Sequence, residues 1–163
     1  MSRQVLRSQV FQERPSLLAW VALLRSHSAL TRALNAELVS DHGLTINDYE
    51  VLLQLARAPE RQLRRVDLAE RLLLTASGIT RLLDGLERAG YVTKGHCKSD
   101  ARVTYAVLTD EGLDKLRAAA DSHVGGVRNQ FESRFSEEEL ETLAGLLARL
   151  PGVDTDGASC SPD

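Results

Sequence analysis

Between Thr75 and Val107 the apolar period of this chain changes from helical to strand-like, and that change constrains the fold more than any other feature. In "TASGITRLLDGLERAG", Ile79, Leu82, Leu83 and Leu86 recur at i, i+3, i+4 and i+7, the signature of one buried helix stripe. Thr75 is placed to cap the start and Gly90 to end the helix. At about 100° per residue, Ser77, Arg81, Asp84 and Arg88 then project to the opposite side, with Thr80 on the flank. From Tyr91 to Lys94 the pattern reads as a strand, "GHCKSDA" as a polar tip, and Val103, Tyr105 and Val107 as a returning strand. The pair is a β-hairpin. Gly85 sits inside the helix at a cost of about 1 kcal/mol relative to alanine, for which close packing is the reading available.

Three helical segments precede this unit. After Pro15, apolar residues at Leu17, Val21, Leu24, Leu30, Leu34 and Leu38 mark one long helix stopped by Gly43. Thr45 caps a second, with Tyr49, Leu52, Leu53 and Leu55 inside and a break at Pro59. A short third lies around Val66, Leu68, Ala69 and Leu72, with Arg64 and Arg65 as weak capping residues. Two segments follow. Thr109 caps a helix running to about Arg134 that carries Leu113, Leu116, Val124, Val127 and Phe131. Ser136 and Glu139 form a capping box ahead of Leu140, Leu143, Leu147 and Leu150. The reading is a mainly α chain with a small β-wing. A winged helix-turn-helix lobe at about 46–108 is joined to dimerisation helices at about 16–42 and 110–150, the first, fifth and sixth of the chain. Residues 1–15 read as a flexible arm and 151–163 as a disordered tail, leaving one domain over 16–150.

Charge and composition narrow the function. The net charge of −3 conceals a gradient: residues 61–104 carry nine basic and five acidic side chains, and 105–163 carry five and twelve. A basic patch on an acidic frame is what a polyanion site tends to look like. The longest apolar run, Leu17 to Leu24, falls far short of the roughly 20 residues of a membrane span, and the start lacks a secretory pattern. No membrane partner and a cytoplasmic location are expected. Cys97 and Cys160 have neither metal-ligand spacing nor disulfide-scaffold density, and Cys97 reads as an incidental wing thiol. The sequence has no GxSxG, HExxH, dinucleotide glycine fingerprint or P-loop, and His27, His42, His96 and His123 are scattered. The expectation is not an enzyme, with no cofactor and no metal.

The stretch "LAERLLLTASGITRLLDGLERAGYV", then Asp100-x-Arg102, then "LTDEG", resembles the MarR family of bacterial transcription regulators. That family's pattern is LA, a short turn, S-x-x-TR-x-x-D-x-LE-x-x-G, a DxR wing motif and LT-x-x-G. The similarity runs from about Leu17 to Leu150. It implies a homodimer joined through the first, fifth and sixth helices, two winged lobes, and repression relieved by a small ligand. Many relatives have a basic residue where this chain has Ala76, Gly85 or Ala101; Arg64 and Arg65 are a partial compensation.

The recognition helix would enter the major groove of double-stranded DNA with its N-terminal half nearest the bases. Ser77 and Thr80 can donate or accept at base edges, Arg81 can contact guanine bidentately or grip phosphate, and Thr75 and Arg88 are further DNA-binding candidates. Asp84, an acid facing phosphate, is expected to pair with Arg81 or Arg88 or to brace the lobe. In the wing, Arg102 can reach the minor groove, with Asp100 orienting its guanidinium or bracing the hairpin tip, and Lys94, His96 and Lys98 stand as phosphate neighbours. In the family the ligand pocket lies between dimer helices and lobe, which makes Trp20, His27, Tyr49, Glu50, His123 and Arg128 candidates for a small aromatic or anionic effector. The alternative is a winged-helix protein-interaction module without sequence-specific DNA binding, which the acidic C-terminal third keeps open.

Overall fold

The computed structural model describes residues 14–96 and 104–151. Among them the chain runs α1 (Pro15–His42), α2 (Ile46–Arg57), a 3-10 turn (Pro59–Arg61), β1 (Gln62–Arg64), α3 (Arg65–Arg71), α4 (Ala76–Arg88), β2 (Val92–His96), β3 (Thr104–Leu108), α5 (Asp110–Glu132) and α6 (Glu137–Leu147). It divides into two compact units, one ending at Val124 and one beginning at Gly125, within α5. The arm at 1–13, Cys97, Lys98, Asp100, Arg102 and the tail from 152 lie outside the described residues.

The helix ends follow from short-range chemistry. Pro15 supplies a preset φ at the start of α1, and Gly43 ends it in the left-handed region at φ 65°. At α2, the Thr45 hydroxyl oxygen accepts from the Asp48 N–H while the Asp48 carboxylate accepts from the Thr45 N–H at 2.8 Å, a reciprocal cap. Asn35 on α1 adds an acceptor for the Ile46 N–H at 3.0 Å, fixing the corner between the two helices. Ser136 and Glu139 make the expected box at α6. α5 ends at Glu132, slightly short of the expected Arg134.

In the first unit the core is built from Leu38, Leu44, Leu52, Leu55, Leu68 and Ile79, each essentially removed from water. Burying a side chain of this size is worth about 1.5–3 kcal/mol. Ile79, Leu83 and Leu86 supply the inward stripe of α4, as the helical period required, with Leu82 half-buried beside them. The long stripe of α1 behaves differently: Leu34 and Leu38 are buried, but Leu24 is 48% exposed and Leu18 and Trp20 more than half exposed. Its apolar period is real along the whole helix, yet only the C-terminal turns reach this core.

The sheet contains a strand the sequence did not announce. β1 pairs antiparallel with β3, giving the order β1-β3-β2, with Leu63 opposite Ala106 and Val92 opposite Leu108. Three residues are too few to display alternation. Its presence makes β3 the central strand, in which Ala106 and Leu108 face the core and Tyr105 and Val107 are half-buried on the other side. The alternation read from the sequence marked the strand, and it did not say which face is buried. β2 also begins one residue later than expected, because the Tyr91 N–H is taken by the Leu86 carbonyl in the turn that closes α4.

The LT-x-x-G segment has a physical explanation here. The Thr109 hydroxyl donates to the Gly90 carbonyl at 2.7 Å and accepts from the Gly112 N–H at 3.0 Å, while the Thr109 N–H reaches the Tyr91 carbonyl. These bonds draw the first turn of α5 onto the turn after α4. A Cβ on Gly112 would lie 2.8 Å from Leu108 Cδ1 and 2.9 Å from the Tyr91 carbonyl carbon, closer than packed atoms approach. Gly85 is the opposite case. An added Cβ would have no neighbour within 4 Å, so close packing is not its cause, and nothing in the structure explains it.

The second unit consists of the end of α5 and α6. No described residue from Gly125 onward is buried. Val127, Phe131, Leu140, Leu143, Ala144 and Leu147 line an apolar groove of about 330 Å³, bordered by the Arg128–Glu132 ion pair at 2.8 Å. Among the described residues no helix is long and apolar enough to cross a membrane.

Candidate nucleic-acid interface

The first turn of α4 is fixed by Thr75, whose hydroxyl accepts from the Gly78 N–H at 3.1 Å and lies 3.2 Å from the Ser77 hydroxyl. Thr80 donates its proton to the Ala76 carbonyl at 2.7 Å, which leaves its oxygen lone pairs as the outward-facing function. Arg81 is exposed and makes no hydrogen bond or ion pair with a described residue. At the last residue of the helix, Arg88 Nε donates to the Asp84 carbonyl one turn back, at 3.1 Å. The outward face thus offers hydroxyls at its start and two guanidinium groups along its length, on a helix whose other face is locked into the core.

Several expected cations are already engaged. Arg64 holds the Asp67 carboxylate with two parallel bonds, 2.7 and 2.8 Å, at the start of α3. Its hydrogen bonds hold Asp67 below the usual carboxylate range and raise the Arg64 guanidinium. Lys94 on β2 meets Glu87 of α4 at 2.7 Å, a pair that ties the wing to the recognition helix and raises the Lys94 ammonium. Sequence spacing alone did not mark these two acids; Asp67 lies three residues after Arg64, the one local signal present. Arg65 is exposed, without an ion pair to a described residue. Together with Thr80, Asp84, Glu87, Lys94 and Tyr105 it lines a crevice of about 30 Å³ between α4 and the sheet, a space of the size that holds a water.

Asp84 pairs with neither Arg81 nor Arg88 among the described residues; Arg88 reaches its backbone oxygen and not its carboxylate. The carboxylate stays on the exposed face. His96 is the last residue of β2, in register with Thr104. Lys98, Asp100 and Arg102 complete the wing reading but lie outside the described residues.

Of the ligand candidates, the structure joins two. Tyr49 is buried, its ring 4.5 Å from that of His123 at a 48° tilt, and burial raises its phenol above the ordinary range. The His123 Nδ1 is buried without a hydrogen-bond partner among the described residues. Beside it in sequence, Ser122 shares a 2.7 Å hydrogen bond with His42. Glu50 is half-buried, and Trp20 and His27 stand exposed on α1. Arg128 belongs to the second unit, in its pair with Glu132.

Comparison with known proteins gives consistent results. The sequence profile of the MarR family matches residues 42–103. The transcriptional regulator PecS of Dickeya dadantii is 32% identical over 145 residues, 85% of this chain and 86% of that protein. The transcriptional repressor YetL of Bacillus subtilis is 32% identical over 108 residues, 66% of this chain and 64% of YetL, just under two thirds of its length. Among solved structures, the MarR family regulator Sco3205 of Streptomyces coelicolor, determined in complex with DNA, superposes with a TM-score of 0.74 at 33% identity, covering 80% of this chain and 81% of that one.

Proposed function

Because this chain belongs to the MarR family of transcriptional regulators, we propose that it is a homodimeric repressor that binds a pseudo-palindromic operator and is released by a small ligand. The observation that carries the reading is the outward face of α4. A capped, core-anchored helix presents Ser77, Thr80 and Arg81, which has no ion pair among the described residues, together on one surface. In the major groove the Ser77 hydroxyl can serve as donor or acceptor at base edges, the Thr80 oxygen, whose proton goes to the Ala76 carbonyl, can accept, and Arg81 can bind guanine through two parallel hydrogen bonds. Arg65 and Arg88 meet phosphate. Arg64 and Lys94 contribute less to the field, because Asp67 and Glu87 neutralise them locally.

In the wing, Arg102 enters the minor groove, and Asp100 orients it. A homodimer places two such lobes on one face of the duplex, with half-sites about 34 Å apart. The effector, aromatic or anionic, acts by preferring a dimer geometry that does not fit adjacent grooves, and it lowers DNA affinity by the same coupling that DNA exerts on it.

The test is binding to a duplex selected from a random-sequence pool, measured at several salt concentrations. The reading expects a log–log slope of about −0.9 per phosphate neutralised. It expects Arg81→Ala to relax preference at one base position in each half-site, and Arg102→Ala to lower affinity and salt slope with little change in the preferred major-groove bases. Equal affinity for selected and scrambled duplexes would instead support a winged-helix module that binds protein.

A further inference from the structure

Two successive helices of the lobe close with the same hydrogen-bonded turn but put different residues at its strained position. After α4, the Gly90 N–H bonds to the Glu87 carbonyl and the Tyr91 N–H to the Leu86 carbonyl, both at 3.0 Å, with Gly90 at φ 80°. After α3, the Leu73 N–H bonds to the Glu70 carbonyl at 3.1 Å and the Leu74 N–H to the Ala69 carbonyl at 2.8 Å, with Leu73 at φ 53°. This closure requires a left-handed residue, which glycine adopts freely and which a Cβ disfavours. Leucine gains nothing in return from packing, since Leu73 is 93% exposed, more than any other large apolar side chain described as exposed. The fold would be served better by glycine, as it is at Gly90.

What surrounds Leu73 indicates what it serves. It stands two residues before Thr75, the cap of α4, and the next exposed positions are Ala76, Ser77 and Arg81, of which Ser77 and Arg81 are assigned above to base edges. On the same lobe, the exposed Arg65 and Arg81 carry no ion pair to a described residue. From α3 to the start of α4, Leu73 and Val66 are the only large apolar side chains described as exposed. Two such side chains among cations and hydroxyls make too little apolar surface for a protein interface, whose buried centre is rich in apolar and aromatic groups. They do match the major groove, where the thymine C5 methyl is the one apolar feature on an otherwise polar edge. We propose that Leu73 is a specificity-determining residue of the DNA interface, packing its side chain against the methyl group of a thymine beside the bases read by the first turn of α4. This rests on the DNA-binding reading above.

The test uses the full chain and the duplex selected from the random pool. Each thymine is replaced in turn by deoxyuridine, which removes the methyl group and nothing else. Wild type should lose about fourfold in affinity at one thymine position when one half-site is substituted, the equivalent of about 0.8 kcal/mol for one buried methylene-sized group. Leu73→Gly, which suits the turn and should melt no lower than wild type, loses the contact in both half-sites, so it should bind the thymine duplex about sixteenfold more weakly and no longer distinguish thymine from deoxyuridine there. Leu73→Ala, which leaves the backbone strain in place, should lose the same discrimination. The proposal is overturned if wild type prefers the selected duplex yet is indifferent to deoxyuridine at every position, or if Leu73→Gly discriminates as wild type does, which would assign the methyl contact elsewhere, for example to Ala76. A wild type with no preference for the selected over a scrambled duplex would overturn the DNA-binding reading itself, and this proposal with it.

Discussion

The two units of this chain treat their apolar residues in opposite ways. Up to Val124, leucines from α1, α2 and α3 and Ile79 of α4 close over one another until Leu52, Leu55 and Leu68 have no contact with water. From Gly125 on, Val127, Phe131, Leu140, Leu143 and Leu147 have the same helical spacing but line an open groove, and Leu146 and Leu150 are about half exposed. The N-terminal half of α1 shares this property, with Leu18, Trp20 and Leu24 outside any core. Identical periodicity therefore marks two kinds of surface: one that the chain covers itself, and one that needs a cover from elsewhere. In the proposed dimer the second copy supplies it.

Substitutions can break or sharpen that contrast. The largest loss of folding stability should come from Leu52→Ala, which opens a cavity in the closed core and should cost about 2–5 kcal/mol in denaturant unfolding. Next is Gly112→Ala, where the new methyl meets the Tyr91 backbone and Leu108; overpacking of this kind costs about 1–3 kcal/mol and sometimes more. It should be read by thermal melting, with binding to the selected duplex falling in step. In the second unit, Leu143→Asp should leave the near-ultraviolet signal of the lobe in place while raising the dimer dissociation constant by at least tenfold, as measured by sedimentation. A Leu143→Asp protein that remains fully dimeric would mean that the groove is not the interface. Gly85→Ala should move stability the other way, by up to about 1 kcal/mol, since the added methyl meets nothing and helix propensity improves.

What the sequence disclosed divides along physical lines. Thr45, Thr75, Thr109 and Ser136 announced helix starts, and Gly43 and Gly90 announced helix ends, because capping and left-handed turns depend on a few neighbouring residues. Features set by distant pairing were hidden. β1 exists only because Leu63 finds Ala106 more than forty positions away. The proposed interface residues were legible as a face of α4, since 3.6-residue geometry alone turns Ser77 and Arg81 away from Ile79 and Leu83. Their state of charge was not: that Lys94 is tied to Glu87, and Arg64 to Asp67, depends on how wing and helices meet. Leu73 escaped notice because a leucine in "RLLLT" looks like one more core residue until its φ and exposure are known.

The central claim is that a self-sufficient lobe reads DNA while the remaining helices join two such lobes. Its most direct test is sedimentation of the full chain at micromolar concentration, alone and with the selected duplex or a duplex cut to one half-site. The account predicts a dimer without DNA, two chains on each full duplex, and markedly weaker binding to the half-site. A folded monomer that occupies the half-site with undiminished affinity, one chain per duplex, would contradict it.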